Sequence, residues 1–455
     1  MPAVGQAAAL EIEAPPPQLR MRGAPRFPKA APSSTLAPMH ISGMTGNEIY
    51  CLALKGFTPG EIAVGNSVVS LGVSGALSSF GRSITGGEIQ AITDQISNGR
   101  HAAITRMEQE AQRHGATGVS GVTSDLGTMA GYTEFLSQGT AVFASQPGMR
   151  FFSTAASGIE LYCHLDAGYV PLKFAMGNIA YALGVGRGLL GSVRTLARGE
   201  VKEFSSMYNE IRHTCLRRLR TEAAQQGANA VVDVNIKMLP FGPGTIELLM
   251  TGTASHHNGI SQGQVSENQV VTSELSGEEL WNLAQMGLVP HQLVMATSVY
   301  SLGVAAGIGS MFQSLQRGEL PEVTKLIYEA RENCLDLIRR EATQLGAERV
   351  IGNRLQIKEI GSGMVEVVAI GTAVRRADNM KPQTPQLIPQ AVIALKSNAQ
   401  SERSVHGLGA PTQPMMIARQ GTRQAGAQGL VLLIIVGFWL FFGCLASIIG
   451  IASGH

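Results

Sequence analysis

The clearest pattern along the chain is a row of apolar residues, spaced four apart, that occurs three times. In the second occurrence the row is Ile211, Cys215, Leu219 and Ala223, and arginines occupy the other sides of the same turns. This spacing predicts an amphipathic α-helix that packs its apolar row against a core. The corresponding rows are Ala330, Cys334, Ile338 and Ala342 in the third occurrence, and Gly99, Ala103, Met107 and Ala111 in the first.

Each predicted helix ends in a similar phrase, EAQRHGA, EAAQQGA or EATQLGA, whose glycine suits a left-handed C-terminal cap. Two apolar, β-branched stretches then flank a short turn, as ANAVVDVNIKML and TIELLMTGTA flank PFGPG, and this order predicts a β-hairpin. A further strand is predicted before each helix, at NSVVSLGV, NIAYALGV and SVYSLGV. Each unit is therefore expected to be α+β, with one main helix on an antiparallel sheet.

The units are internal repeats. Their capping glycines, Gly115, Gly227 and Gly346, are spaced 112 and then 119 residues apart, and the same offsets relate the Leu-Gly-Val motif upstream of each helix. Agreement over so long a stretch indicates one module copied along the chain. We place the modules at residues 38–145, 149–258 and 268–376.

The segments outside the modules differ in composition. Residues 1–37 are rich in Pro and Ala and are predicted to be a disordered arm, and residues 377–429 are rich in Gln, Pro and Ser and are predicted to be a flexible linker. Residues 430–451 carry no charge, and as a helix they would span the roughly 30 Å hydrocarbon layer of a membrane. They predict a transmembrane helix acting as a tail anchor.

The charges near that segment predict its orientation. Arg403, Arg419 and Arg423 precede it and no Lys or Arg follows it, so the positive-inside rule places the N-terminal bulk in the cytoplasm. The predicted location is a membrane with a single-pass C-terminal anchor, and the lipid bilayer is a predicted partner.

Overall composition excludes some classes of protein. The 455 residues contain 35 basic and 33 acidic side chains, and this balance predicts no nucleic acid partner. The five cysteines are odd in number and form no CxxC pair, which argues against a disulfide framework. The chain contains no phosphate loop, no HExxH and no GxSxG motif, so we predict a protein that is not an enzyme.

The helix-end phrase, the strand after it and the closing Gly-Thr-Ala resemble the YbjQ family, which is labelled for heavy-metal binding. The residues that carry the likeness are EAAQQGANAVVDVNI and MTGTA in the second module, and EATQLGAERVIG and AIGTAV in the third. The resemblance implies a small α+β domain of dodecin-like fold that assembles as a five-membered ring with strands shared between neighbours. Three tandem copies and a membrane segment depart from the usual single-domain member.

The family label raises the question of a metal site. Soft metals such as zinc and copper need Cys or His ligands converging at close range. The candidate ligands are Cys51, Cys163, His164, His256 and His257. The third module does not repeat them, so small buried cysteines and a solvent-exposed histidine pair are the preferred interpretation, and no cofactor is expected.

Glu110, Glu222 and Glu341 occupy the last turn of each long helix, where the helix dipole disfavours a negative charge. We expect each to have a specific partner, and we interpret them as candidate contacts between adjacent modules.

The predicted function is that of a non-enzymatic, membrane-anchored structural protein that assembles with itself into a ring or barrel. Closing a ring removes exposed sheet edges. Five chains could stack three five-module rings, or modules lying side by side could give a ring with a multiple of three modules; the sequence leaves both open. The alternative function is heavy-metal binding or metal sensing.

Overall fold

A computed structural model defines the fold of the three modules. It describes residues 41–70, 87–129, 132–182, 199–241, 245–260, 265–301, 321–361, 364–377 and 379–392. The predicted arm at 1–37 and most of the predicted linker lie outside the described residues.

Each module repeats one order of elements: a short helix, a long strand, a long helix and a β-hairpin. The first contains α1 (Gly46–Leu54), β1 (Phe57–Val69), β2 (Gly87–Glu88), α2 (Gln90–Arg113), β3 (Gly118–Met129) and β4 (Tyr132–Ala144). The second contains β5 (Phe152–Ser153), α3 (Gly158–Asp166), β6 (Val170–Ala182), β7 (Gly199–Glu200), α4 (Lys202–Gln225), β8 (Ala230–Pro240) and β9 (Thr245–His256). The third, after a 3-10 turn at Glu267–Gln269, contains β10 (Val271–Thr272), α5 (Gly277–Gln285), β11 (Leu288–Ser301), α6 (Pro321–Gln344), β12 (Arg349–Gly361) and β13 (Met364–Arg376).

The predicted α+β class with repeated modules is confirmed, and matching positions adopt matching conformations. The glycines that end the long helices, Gly115, Gly227 and Gly346, have φ of 80°, 80° and 67°. This left-handed backbone closes each helix as the sequence predicts. The short helices were not predicted. Their N-cap residues are Thr45, Ser157 and Ser276, and each of these side chains accepts a backbone N–H from the first turn.

Neighbouring modules share strands in both directions. The sheet orders are β1-β4-β3-β5, β10-β8-β9-β6-β2 and β12-β13-β11-β7. The first module gives β2 to the second module's sheet, where it pairs antiparallel with β6, and the second gives β7 to the third, where it pairs with β11. In return, β5 and β10 pair in parallel with β3 and β8 of the preceding module. The modules therefore lie side by side along the chain.

The long helix of each module packs closely on its own sheet at one strand position. At Gly177 of β6, an added Cβ would lie 2.6 Å from the backbone nitrogen of Leu219 in α4, and nearer still to the carbonyl oxygen of Cys215. A residue without a bulky side chain is therefore required where strand and helix backbone meet. The other two modules have Gly65 and Ala296 at this position.

Replacing Gly177 by Val is expected to destabilise the protein by about 1–3 kcal/mol or more, because the helix must move away from the sheet. The melting temperature checks this result. Gly127→Val is the matched control, since an added Cβ at this strand glycine meets nothing within 4 Å. Equal melting temperatures for the two variants would show that this contact does not set the helix position.

The predicted membrane location is corrected by the helices that the structure describes. Within the described residues, no helix is both long enough and apolar enough to cross a membrane. The long helices have sufficient length, but α2, α4 and α6 are interrupted by charges, such as Asp94, Arg100 and Arg106 in α2. The segment 430–451, from which the transmembrane helix was predicted, lies outside the described residues. We therefore set aside the single-pass anchor and the cytoplasmic orientation deduced from it.

Candidate assembly interface

The junction between successive modules is built from a helix and a sheet face. Each sheet packs its own long helix on one face, and in the second and third modules the long helix of the preceding module covers the opposite face. Ile104 and Met107 of α2 lie in one cluster with Phe174 and Met176 of β6. In the next junction, Leu216 of α4 lies in one cluster with the apolar face of β11 and β13. The two junctions are thus copies of one interface.

A buried ion pair lies at the centre of each junction. In the first, Nε and Nη2 of Arg100 donate to the two carboxylate oxygens of Glu247 at 2.9 and 2.6 Å, and neither side chain is exposed. In the second, Nη2 of Arg212 donates to Glu366 at 2.6 Å. A buried charge without an opposite charge beside it is strongly destabilising. Each arginine therefore needs its glutamate, and the pair determines which two surfaces meet.

Each arginine also donates hydrogen bonds to acceptors other than its glutamate. Nη1 of Arg100 donates to the hydroxyl and carbonyl oxygens of Ser124, and Nη1 of Arg212 donates to the hydroxyl of Thr297. These residues were not predicted from the sequence. A comparison of the modules could have found them, because arginine and glutamate are repeated at matching positions. Arginine occurs at 100, 212 and 331, and glutamate occurs at 134, 247 and 366.

The glutamates proposed as inter-module contacts have two kinds of partner. Glu110 and Glu222 accept the backbone N–H groups of Val64 and Met176 in their own modules, at 2.6 and 3.3 Å. Oε2 of Glu222 also lies 3.0 Å from Nε2 of His101 in the preceding module, and this contact raises the pKa of His101.

The corresponding contact in the second junction is weaker. Nδ1 of His213 lies 3.9 Å from Oε1 of Glu341. Burial raises the pKa of Glu341 to about 7 and lowers the pKa of His213, so both groups shift toward their neutral forms. This distance is longer than the 3.0 Å contact of the first junction, and the directions of both pKa shifts favour an uncharged contact.

The short helices form a second row of contacts between modules. Glu48 of α1 accepts the N–H of Gly158, the first residue of α3, and Glu160 of α3 does the same for Gly277 of α5. Each carboxylate is placed at a helix N-terminus, where the dipole favours negative charge.

Asp166 joins all three modules on this row. It lies 2.6 Å from Nζ of Lys55 in the first module and accepts from Nε1 of Trp281 in the third at 2.8 Å. The hydroxyl of Thr384, in the segment after the third module, donates to it at 2.7 Å. The Lys55 and Thr384 hydrogen bonds outweigh burial and hold the pKa of Asp166 below its usual value.

Of the proposed metal ligands, Cys51 lies on α1, and Cys163 and His164 lie on α3. Cys51 and Cys163 belong to one buried apolar cluster, and burial raises the pKa of both thiols, that of Cys51 to about 11. A thiol that resists ionisation is a poor ligand for a soft metal. Among the described residues no group of three or more His, Cys, Asp or Glu side chains could hold a metal ion.

The three histidines proposed as ligands occupy different environments. His164 is buried, and neither ring nitrogen has a hydrogen-bond partner among the described residues. His257 is also buried, with Nε2 3.1 Å from the carbonyl oxygen of Ala167 and Nδ1 accepting the N–H of Gly259. His256 ends β9 and is half-buried. His256 and His257 therefore do not form the solvent-exposed pair that was expected from the sequence.

Within the described residues no module precedes the first, and one face of its sheet is exposed. Ile62, Val64 and Val68 of β1 are 47%, 43% and 46% exposed. The matching residues in the other modules, Phe174, Met176 and Ala180 of β6 and Leu293, Met295 and Val299 of β11, are at most 4% exposed. Within the described part of the chain, this interface is therefore formed at two modules and left exposed at the first.

These features define a class: proteins built from tandem α+β modules that exchange strands and bury each sheet face under a neighbour's helix. The family profile described as "Putative heavy-metal-binding", YbjQ, matches residues 58–145, 170–258 and 287–377. The chain belongs to this family, and the expectation of three YbjQ copies is confirmed.

Known relatives include proteins of two kinds. An encapsulin nanocompartment protein of Mycobacterium tuberculosis is 29% identical over 231 residues, which is 48% of this chain and 86% of that protein. A UPF0145 protein of Burkholderia cenocepacia is 39% identical over 92 residues, 18% of this chain and 75% of the relative. One of Methanoregula boonei is 39% identical over 83 residues, 18% and 69% respectively. No solved structure gives a significant match.

Proposed function

We propose that this protein is a non-enzymatic structural subunit that assembles with copies of itself into a closed ring or shell. The observation that carries the proposal is the open sheet face of the first module, at Ile62, Val64 and Val68. Contiguous apolar surface of this kind is a site of association, and here the same face is covered in both other modules.

The similarity to a protein named as an encapsulin nanocompartment protein supports this function, since enclosing a compartment needs many subunits. The strand exchange supports it independently, because modules that share strands leave incomplete sheets wherever a neighbour is missing. Heavy-metal binding is the label of the family, and no contact among the described residues favours it over assembly.

The particle mass of the purified full chain tests the proposal. We expect a particle containing several 48.0 kDa chains by mass photometry or native mass spectrometry. Val64→Lys places a charge on the open face, so we expect it to reduce the particle to single chains. Glu210→Lys, at an exposed position of α4, is the matched control and is expected to assemble normally. A wild-type protein that is a single chain at all concentrations would overturn the proposal.

A further inference from the structure

The last long helix carries the counterpart of the open sheet face. We infer that α6 of one chain packs on the first module's sheet face in a second copy, with Arg331 paired to Glu134, so that chains join head to tail. This inference rests on the proposed self-assembly and names the surfaces and the ion pair that perform it.

The helix side of the interface is a row of three residues spaced four apart. In α2 it is Ile96, Arg100 and Ile104, and in α4 it is Tyr208, Arg212 and Leu216, all buried. In α6 it is Ile327, Arg331 and Leu335, and here all three are only partly buried. The third helix thus keeps an arginine between two apolar residues, but among the described residues no further module covers it.

Arg331 has an incomplete set of partners. Its Nε is buried and has no hydrogen-bond partner among the described residues, whereas Nε of Arg100 donates to Glu247. Nη2 of Arg331 lies 3.1 Å from its exposed neighbour Glu332, and the guanidinium carbon lies 4.5 Å from the ring centre of Tyr328. A buried donor without an acceptor costs free energy, which a carboxylate from another chain would recover.

Glu134 is the carboxylate in the required place. It lies opposite Val68 in the β1–β4 pairing, as Glu247 lies opposite Ala180 and Glu366 opposite Val299. Glu134 is only half-buried and forms no ion pair within the described part of the chain, while Glu247 and Glu366 are fully buried in theirs. The two ends of the chain therefore hold the two halves of a third junction.

A head-to-tail joint fixes the module count. Different surfaces meet at such an interface, so repeated addition gives a closed ring when the rotation between neighbours permits closure. Because each chain contributes three modules side by side, a ring with every joint filled contains a multiple of three modules. Intact chains would then not form the five-membered ring that the family resemblance implies.

One position makes the joint between chains weaker than those within a chain. Glu332 stands where the preceding modules have His101 and His213, and in the joint it would approach Glu110. Two carboxylates would then replace a histidine and a carboxylate. The chains are therefore expected to separate before the modules within each chain come apart.

A charge exchange tests the ion pair. Arg331→Glu and Glu134→Arg are each expected to raise the dissociation constant of the assembly by at least about 30-fold, because each leaves like charges facing each other. The double variant restores opposite charges and should recover much of the assembly. Ile327→Lys is a second variant that disrupts the same face without altering the pair, and melting temperatures verify that every variant is folded.

The outcomes separate the two proposals. A wild-type particle whose mass is a multiple of 48.0 kDa, lost in both single variants and regained in the double variant, establishes the joint. A wild-type particle that persists unchanged in both single variants would overturn this joint and leave self-assembly standing. A wild-type protein that is a single chain would refute both.

Discussion

Glu247→Ala is expected to lower the free energy of unfolding by about 3–5 kcal/mol, because it leaves the guanidinium of Arg100 buried without its partner. Neither side chain of this pair is exposed, and Arg100 belongs to the first module while Glu247 belongs to the second. The loss should therefore appear as separation of the first module from the second, ahead of unfolding of the rest. Urea denaturation, followed by tryptophan fluorescence and by circular dichroism, measures the change.

Two variants serve as controls for this result. Glu134→Ala removes the matching carboxylate at the open face, where solvent reaches it, and should cost less than about 1 kcal/mol in the single chain. The double change Arg100→Met with Glu247→Leu removes both buried charges, and we expect it to recover most of the stability. If Glu247→Ala and Glu134→Ala cost the same, the buried pair does not hold the junction together.

The repeats, the α+β class and the ends of the long helices could be predicted from the sequence because their causes are local. A four-residue apolar period and a glycine at a left-handed cap determine each helix within its own module, and Gly115 and Gly227 behave alike for this reason. The strands β2, β5, β7 and β10 could not be predicted in this way. Each is two residues long, and its partner strand lies in another module.

The candidate site was harder to predict because its residues act across modules. Glu222 was singled out for its unfavourable place at a helix end, but its histidine partner lies 121 positions earlier in the chain. Arg100 looks like an ordinary polar residue of an amphipathic helix, since its burial depends on the next module. Comparing the modules position by position reveals it, because arginine is kept at 212 and 331 as well.

His164→Leu is expected to remove a part of the pH dependence of stability that amounts to about 3 kcal/mol. Burial without a hydrogen-bond partner lowers the pKa of His164 from 6.5 to about 4. Between these two values the unfolded chain binds a proton that the folded chain does not, so the free energy of unfolding falls as the pH drops through this range. Above pH 6.5 the histidine is neutral in both states and this loss is absent.

The other modules supply the replacement residue. Leu52 and Leu283 occupy the matching positions of α1 and α5 and are buried, so leucine fits this site in two of the three modules. The difference in unfolding free energy between wild type and His164→Leu, measured from pH 7 to pH 4, isolates this histidine from the carboxylates and from His213 and His257, whose pKa values burial also lowers. His114→Leu, at an exposed position, is the matched control. A difference in unfolding free energy that stays constant from pH 7 to pH 4 would contradict this prediction. It would mean that the His164 ring has a hydrogen-bond partner or contact with solvent in the folded protein.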